Sequence, residues 1–333
     1  MEEHMVEATR EPESAEWIPS GFRQPVSRWF RGRFDEVAAV LPQFDRRPFS
    51  VHVPASPVVH ANELYDLIVR REQAEGHWTT CPAGIVSKRY RLIEHREAAA
   101  VLAHAFGCVG IDPYGLDTHA SLLRYGATMS LEVNLPPDWM FDPGDGHPVL
   151  LQLRCQNSVD GTSQLRVALV WYRLVCTNGL VVGTAREQRG FDHREATEVE
   201  DIVTFLTAGL GIARRERLVM TRWLHLPVDT SKLPSFADSA LKDRWGAVDA
   251  ARFFHIVETG HDAELADRFQ PGSPSEKRMK TTLPVPGSPE RATSVWHVAQ
   301  ALSWVARSRK NPAVQLDRLQ QIPGMLSRLL EGE

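Results

Sequence analysis

The chain has 333 residues, of which 43% are hydrophobic, and a formal net charge of -4. That length and apolar content support a sizeable core, and the slightly acidic balance excludes a protein that coats polyanions with its whole surface. No apolar run nears the roughly 18 residues of a membrane span, and no signal-peptide core follows Met1, so a cytoplasmic protein without membrane contact is expected.

Along the chain, Glu2, Glu3, Glu7, Glu11, Glu13 and Glu16 make an acidic tail with no apolar period. Trp17, Phe22, Trp29, Phe30 and Phe34 then lie scattered among prolines and arginines. They predict an irregular arm that packs on the main domain or on a second copy. Asn62 is placed to cap a helix from Glu63 to about Glu75. Val86–Ile93 alternates and predicts a strand, and alanine-rich Arg96–Phe106 predicts a helix ended by Gly107. Leu122–Leu135 predicts another strand region, stopped by Pro136 and Pro137.

Two runs, Val149–Asn157 and Gln164–Cys176, flank Ser158-Val-Asp160-Gly161-Thr-Ser163. The Asp160-Gly161 pair tolerates positive φ, so these runs fold back as a hairpin. A second reversal at Asn178-Gly179 leads into a third strand, Leu180–Arg189, to complete a meander. Both faces of Leu165–Val175 are largely apolar, which marks a central strand covered on two sides. A long helix follows from Glu195 to about Trp223, and Lys242–Glu258 is helical again. Phe269–Pro289 is a proline-rich loop, and helices Ala292–Arg307 and Ala313–Leu330 close the chain. The fold class is therefore α+β: a mostly antiparallel sheet covered by a long helix, with a helical C-terminal portion. The expected segments are 1–57 (tail and arm), 58–226 (core domain) and 227–333 (helical region).

Chemical motifs are sparse. The four cysteines, Cys81, Cys108, Cys155 and Cys176, form no Cys-x-x-Cys pair and read as small hydrophobes. His104 and Cys108 share a helix face but lack further ligands, so no metal or other cofactor is expected. Gly209-Leu-Gly211 sits in helical sequence without a third glycine, unlike a dinucleotide loop. No phosphate loop, HExxH or GxSxG is present. Asn157, Asp160, Gly161, Cys176 and Asn178 read first as structural residues of the meander turns. An enzyme built on Asn157, Asp160, Asn178 and His193 would need those groups to converge in one pocket.

Several of these strings resemble a known family. Val86-Ser-Lys-Arg-Tyr90-Arg-Leu-Ile is similar to the opening of the phage/plasmid-like family of domains of unknown function numbered 932. Cys155-Gln-Asn157-Ser-Val-Asp160-Gly161 and Tyr172-Arg173-Leu-Val-Cys176-Thr-Asn178-Gly179 match its central strands. Ser294-Val-Trp296-His-Val-Ala-Gln-Ala301 matches its last helix. The chain departs from the family pattern at Phe191-Asp-His193-Arg194 and at Gln300-Ala301. The resemblance implies a setting in mobile elements and supplies no catalytic residues.

The arginines point to a binding function. Arg154, Arg166, Arg186 and Arg189 lie on or near the meander together with Trp171 and Tyr172. Guanidiniums and aromatics on a sheet are the composition that holds a nucleic-acid backbone and stacks its bases. The expected function is a non-enzymatic, nucleic-acid-binding accessory protein of a phage or plasmid, binding or annealing single-stranded DNA and able to self-associate. The alternative is an interaction or inhibitory factor acting on a host or phage protein. Arg173, the only charge in an apolar run, must find a partner inside, such as Glu132.

Overall fold

Alternating side chains along the first half of the chain build antiparallel ladders in the computed structural model, which describes residues 28–52, 59–74, 77–173, 179–180, 189–191, 199–265, 279–309 and 311–331. The first elements are β1 (Arg28–Arg33), α1 (Phe34–Val40), β2 (Gln43–His52), β3 (Val59–Ala74), β4 (His77–Ser87) and α2 (His95–Cys108). Next come β5 (Asp117–Leu123), β6 (Thr128–Asn134), β7 (Met140–Phe141), β8 (Val149–Ser158), β9 (Leu165–Arg173), β10 (Gly179–Leu180) and β11 (Arg189–Phe191). Helix α3 (Val199–His225) follows, then α4 (Leu233–Phe236), α5 (Lys242–Trp245), α6 (Ala247–Thr259), β12 (His261–Leu265), β13 (Met279–Pro284), α7 (Val295–Arg307) and α8 (Pro312–Glu331). The main sheet has the order β1-β5-β6-β8-β9-β10, with β7 beside β8 and β11 beside β9. A second sheet is β2-β3-β4, and β12 pairs with β13. The architecture is α+β with a helical C-terminal portion, as the sequence predicts.

The hairpin at Asp160-Gly161, helix α2, the long helix α3 and the two closing helices stand where the sequence places them. Other elements differ. The helix predicted from Glu63 is strand β3, paired with β2 on one side and β4 on the other. Asn62 still gathers backbone donors as a cap would, since its Oδ1 accepts from the N–H groups of Leu64 (3.0 Å) and Tyr65 (2.9 Å). It does so at a bulge, where the register jumps from Pro48↔Asp66 to Ser50↔Ala61. A capping side chain thus satisfies extra strand residues instead of a helix end.

The strand predicted at Val86–Ile93 is only the end of β4, which stops at Ser87. The run Leu122–Leu135 is two strands, β5 and β6, reversed by left-handed Arg124 (φ 53), Tyr125 (φ 59) and Gly126 (φ 83). Lys242–Glu258 is two helices broken at Gly246. Trp29 and Phe30 of the predicted irregular arm belong to β1, where Trp29 pairs with Ser121, and Phe34 is buried in α1. In the proline-rich loop, residues 279–284 are strand β13. The acidic tail, most of the third meander strand and residues 269–278 lie outside the described residues.

The chain forms two compact units, each drawn from several stretches. The first comprises Met1–Pro136, Gln152–Ala168 and Gln188–Ala208. Its apolar interior includes Leu102, Phe106, Met129, Leu131 and Leu153, with Phe34 and Phe106 edge to face at 6.5 Å. The second comprises Pro137–Leu151, Leu169–Glu187 and Gly209–Glu333, with Trp171, Phe253, Trp296, Leu302, Leu316 and Leu319 inside.

In the second unit α6, α7 and α8 also share buried charge. Asp249 accepts from Arg309 and Arg318, and Arg252 lies 3.8 Å away. Arg252 also grips Asp262 through Nε at 2.9 Å, and Trp304 Nε1 donates to the same carboxylate at 2.7 Å. Removing Asp249 takes the carboxylate from Arg309 and Arg318, while Arg252 keeps Asp262, so Asp249→Ala is expected to cost about 3–5 kcal/mol in urea unfolding. Glu258→Ala, which breaks the exposed pair with Arg291, should cost under about 1 kcal/mol in the same assay.

Candidate nucleic-acid interface

The Asn157–Gly161 string works as joinery in the first unit. Asn157 Nδ2 donates to the Ile93 carbonyl at 2.8 Å and lies 3.1 Å from His95 Nδ1. His95 Nε2 meets the Gly126 carbonyl at 2.8 Å, which assigns the proton to Nε2 and leaves Nδ1 to accept from Asn157. Burial pushes the His95 imidazole down to about 4, against weaker upward pulls from the Gly126 carbonyl and Asp160. Ser158 Oγ closes the turn onto Ser163, donating to its carbonyl at 2.8 Å and accepting from its N–H at 3.0 Å. Asp160 Oδ1 accepts from the Thr162 N–H at 3.1 Å, and Gly161 has φ 75. A Cβ on Gly84 would overlap the Asp160 side chain, so the β4 backbone can lie against the turn only there. Tyr90 donates from its hydroxyl to the Ser158 carbonyl at 2.8 Å; burial and Asp160 raise its phenol well above the usual range. The Cys155 thiol is fully buried and pushed up to about 12 by desolvation. Asn157 and Asp160 are therefore engaged in holding strands together, while Cys176, Asn178 and His193 lie outside the described residues.

The arginines expected on an open sheet are placed differently. Arg154 is 2% exposed, donating from Nε to Gln152 at 2.9 Å, with Nη2 3.4 Å from Glu132. Burial raises the Glu132 carboxyl, but Arg154 and His119 outweigh it and hold the group below its ordinary value. Trp171 is fully buried, so neither it nor Arg154 forms an open binding surface. The reason is the pattern itself: a strand apolar on both faces lies in the interior, and a guanidinium beside it must be neutralised. Arg166 and Tyr172 are half-buried, and the Arg307 guanidinium lies over the Tyr172 ring at 5.7 Å. Arg189 pairs with Val167 through the backbone of β11, and Arg186 lies outside the described residues.

Arg173 is buried and paired, as its setting requires, but with Asp145 and not Glu132. Its Nη2 donates to Asp145 Oδ2 at 2.6 Å, and the Trp296 indole donates to the same oxygen at 2.8 Å. The guanidinium also lies 5.8 Å from the Trp296 ring centre.

What the motif reading missed is the outward face of α3 in the second unit. Leu210, Ala213 and Met220 face inward, and Arg217 is held among the rings of Trp139, Phe141 and Trp171 at 5.6 Å each. Arg217 donates to the Asp138 carbonyl at 2.6 Å. At 100° per residue the opposite face carries Gly211, Arg214, Arg215, Leu218, Arg222 and His225, all exposed. None of Arg214, Arg215 and Arg222 has an ion-pair partner among the described residues. Glu216 lies off this face, half-buried, and desolvation raises its carboxyl against the pull of Arg215. The helix dipole accounts for Arg222 and His225 in the last turn but not for Arg214 and Arg215. The signal was legible as Arg214-Arg215-Glu-Arg-Leu-Val-Met-Thr-Arg222 read at helical spacing. Among the described residues no cluster of His, Cys, Asp or Glu is suited to hold a metal ion.

Arg173→Ala would leave Asp145 in the interior with only the Trp296 indole; a loss of about 3–5 kcal/mol is expected in a denaturant titration. His95 gives a pH signature. Its folded value lies below the ordinary 6.5, so the unfolded chain binds the proton more readily. Its contribution is full above pH 6.5 and fades as pH falls toward 4. Wild type is expected to lose about 2 kcal/mol more than His95→Gln between pH 7 and pH 5 in matched urea melts.

A family model described as "Domain of unknown function (DUF932)" matches residues 82–321. No curated protein and no solved structure matches the sequence. The matched span takes in the joinery around Asn157, the Arg173–Asp145 centre and all of α3, and the chain belongs to the DUF932 family.

Proposed function

We propose that this DUF932 protein is a non-enzymatic nucleic-acid-binding protein that holds the backbone of single-stranded DNA on the outward face of α3. The carrying observation is the set Arg214, Arg215 and Arg222: exposed, without an ion-pair partner among the described residues, and with no carboxylate on their own face over about 12 Å of helix. Elsewhere, exposed arginines such as Arg31, Arg33, Arg47 and Arg71 face acidic neighbours. A guanidinium without an internal partner is free to take a phosphate, releasing counterions in exchange. The Trp139 ring under Arg214, 5.3 Å from its guanidinium, orients that side chain without neutralising it. An accessory role in a phage or plasmid follows from the family resemblance and is part of the same proposal. Leu218, 66% exposed in the middle of the stripe, favours as the second reading an acidic protein partner.

Binding of a fluorescent single-stranded oligonucleotide, measured across salt concentrations, tests this. Each phosphate neutralised contributes a slope of about -0.7 in log affinity against log salt. The triple variant Arg214→Ala, Arg215→Ala, Arg222→Ala should flatten that slope by about 2 while keeping its helical circular dichroism. Arg291→Ala, which removes an exposed but paired arginine, should bind like wild type. If wild type fails to bind at low salt, the nucleic-acid reading is wrong and the protein-partner reading stands.

A further inference from the structure

The second sheet of the first unit keeps an apolar patch in water. Leu67 of β3 stands directly across from Ile85 of β4, and Tyr65 lies two residues before Leu67 on the same face. The reverse face, with Ile68 and Val86, is buried against Phe44. Ile85 is nevertheless 58% exposed and Tyr65 46%, and Leu64, next to Tyr65 in the chain, is 70% exposed. Single exposed apolar side chains are ordinary, but neighbours gathered on two paired strands mark an interaction surface. Its border is basic. Lys88 donates its N–H to the Leu64 carbonyl at 3.0 Å, which brings it beside the patch. The exposed side chains of Lys88 and Arg89 have no ion-pair partner among the described residues.

The matching chemistry lies in the chain itself, ahead of β1. Glu11, Glu13 and Glu16 run directly into Trp17 and Ile18, and Phe22 follows. Strand β1 brings the end of this segment close to the patch. Its first residue, Arg28, pairs with Leu122, just before the reversal at Arg124–Gly126. The Arg70 guanidinium of β3 donates to the Tyr125 carbonyl in that reversal. From Arg70 back to Tyr65 is five residues of strand, about 17 Å. The eleven residues from Trp17 to Arg28 span up to about 36 Å, so reach is not limiting. The segment, the reversal and both strands belong to the first unit.

We propose that residues 11–22 dock in cis on the β3–β4 patch, with Trp17 and Ile18 covering Leu67 and Ile85 and the glutamates facing Lys88 and Arg89. The apolar anchors supply the burial, and the opposite charges select this surface over an uncharged one. A tethered segment meets its surface at an effective concentration of about 1 mM. A contact worth only about 100 µM as a free peptide would therefore be closed about 90% of the time.

Hydroxyl-radical footprinting of the full chain, read residue by residue by mass spectrometry, tests this. Tyr114, 60% exposed and outside β3 and β4, is the internal reference. Tyr65 and Ile85 should be oxidised about tenfold more slowly in wild type than in the variant Trp17→Ala, Ile18→Ala, while Tyr114 reacts alike in both. Lys88→Glu with Arg89→Glu should release part of the protection, and protection should not change with protein concentration. Equal rates at Tyr65 and Ile85 in wild type and the Trp17→Ala, Ile18→Ala variant overturn the docking, as does protection untouched by the charge reversal. Protection that is lost on dilution overturns docking in cis and assigns the patch to a second copy. The measurement uses no nucleic acid, so its failure leaves the α3 reading standing.

Discussion

Arginine cannot shed its charge, and most of this structure follows from that constraint. A guanidinium taken into the interior must be matched by a carboxylate or suffer an uncompensated desolvation cost of several kcal/mol. The chain meets the demand repeatedly: Glu132 takes Arg154, Asp145 takes Arg173, Asp262 takes Arg252, and Asp249 takes Arg309 and Arg318. Arg173 with Asp145, and Arg309 and Arg318 with Asp249, join residues 28, 60 and 69 positions apart. Asp145 sits on the connection between β7 and β8, and its oxygen receives both the end of β9 and the indole of α7. The same accounting gives the functional reading. Once matched arginines are set aside, the outward face of α3 stands out as basic and without an ion-pair partner among the described residues.

Histidine and asparagine fill a similar role where charge would be too costly. His95 stays neutral in the interior and uses both ring nitrogens, one toward Gly126 and one toward Asn157. It thereby fixes the tight reversal at Arg124–Gly126, where two non-glycine residues hold positive φ. The Arg70 guanidinium donates to the Tyr125 carbonyl in the same turn. Strain in the hairpin is thus held by groups from α2, β3 and β8, elements that the sequence alone does not bring together.

Much of the frame was legible because it rests on local chemistry. Asp160-Gly161 specifies its turn through backbone conformation, and the long apolar stripe of α3 specifies a helix whatever it packs against. Strand β3 was not legible as a strand, because Asn62 and the residues after it satisfy a helix start equally well, and only pairing with β2 and β4 decides. The reversal at Arg124 was hidden for the opposite reason: no glycine or asparagine announces its first two positions. For the site, alternation shows that Arg154 and Glu132 point to one side of the sheet but not whether that side is covered. Arg173 was legible as buried, since it is the lone charge in an apolar run. Its partner was not, because Asp145 reaches it through a loop whose path no periodicity encodes.

The division of arginines into matched and free is open to direct chemical test with phenylglyoxal, which modifies accessible guanidiniums, followed by mass spectrometry with and without single-stranded DNA. The account expects Arg214, Arg215 and Arg222 to react rapidly in the free protein and to be shielded by the DNA. Arg154 and Arg173 should stay unmodified in both samples. Rapid modification of Arg154 or Arg173 in the folded protein, or equal modification of the α3 arginines with and without DNA, would contradict it.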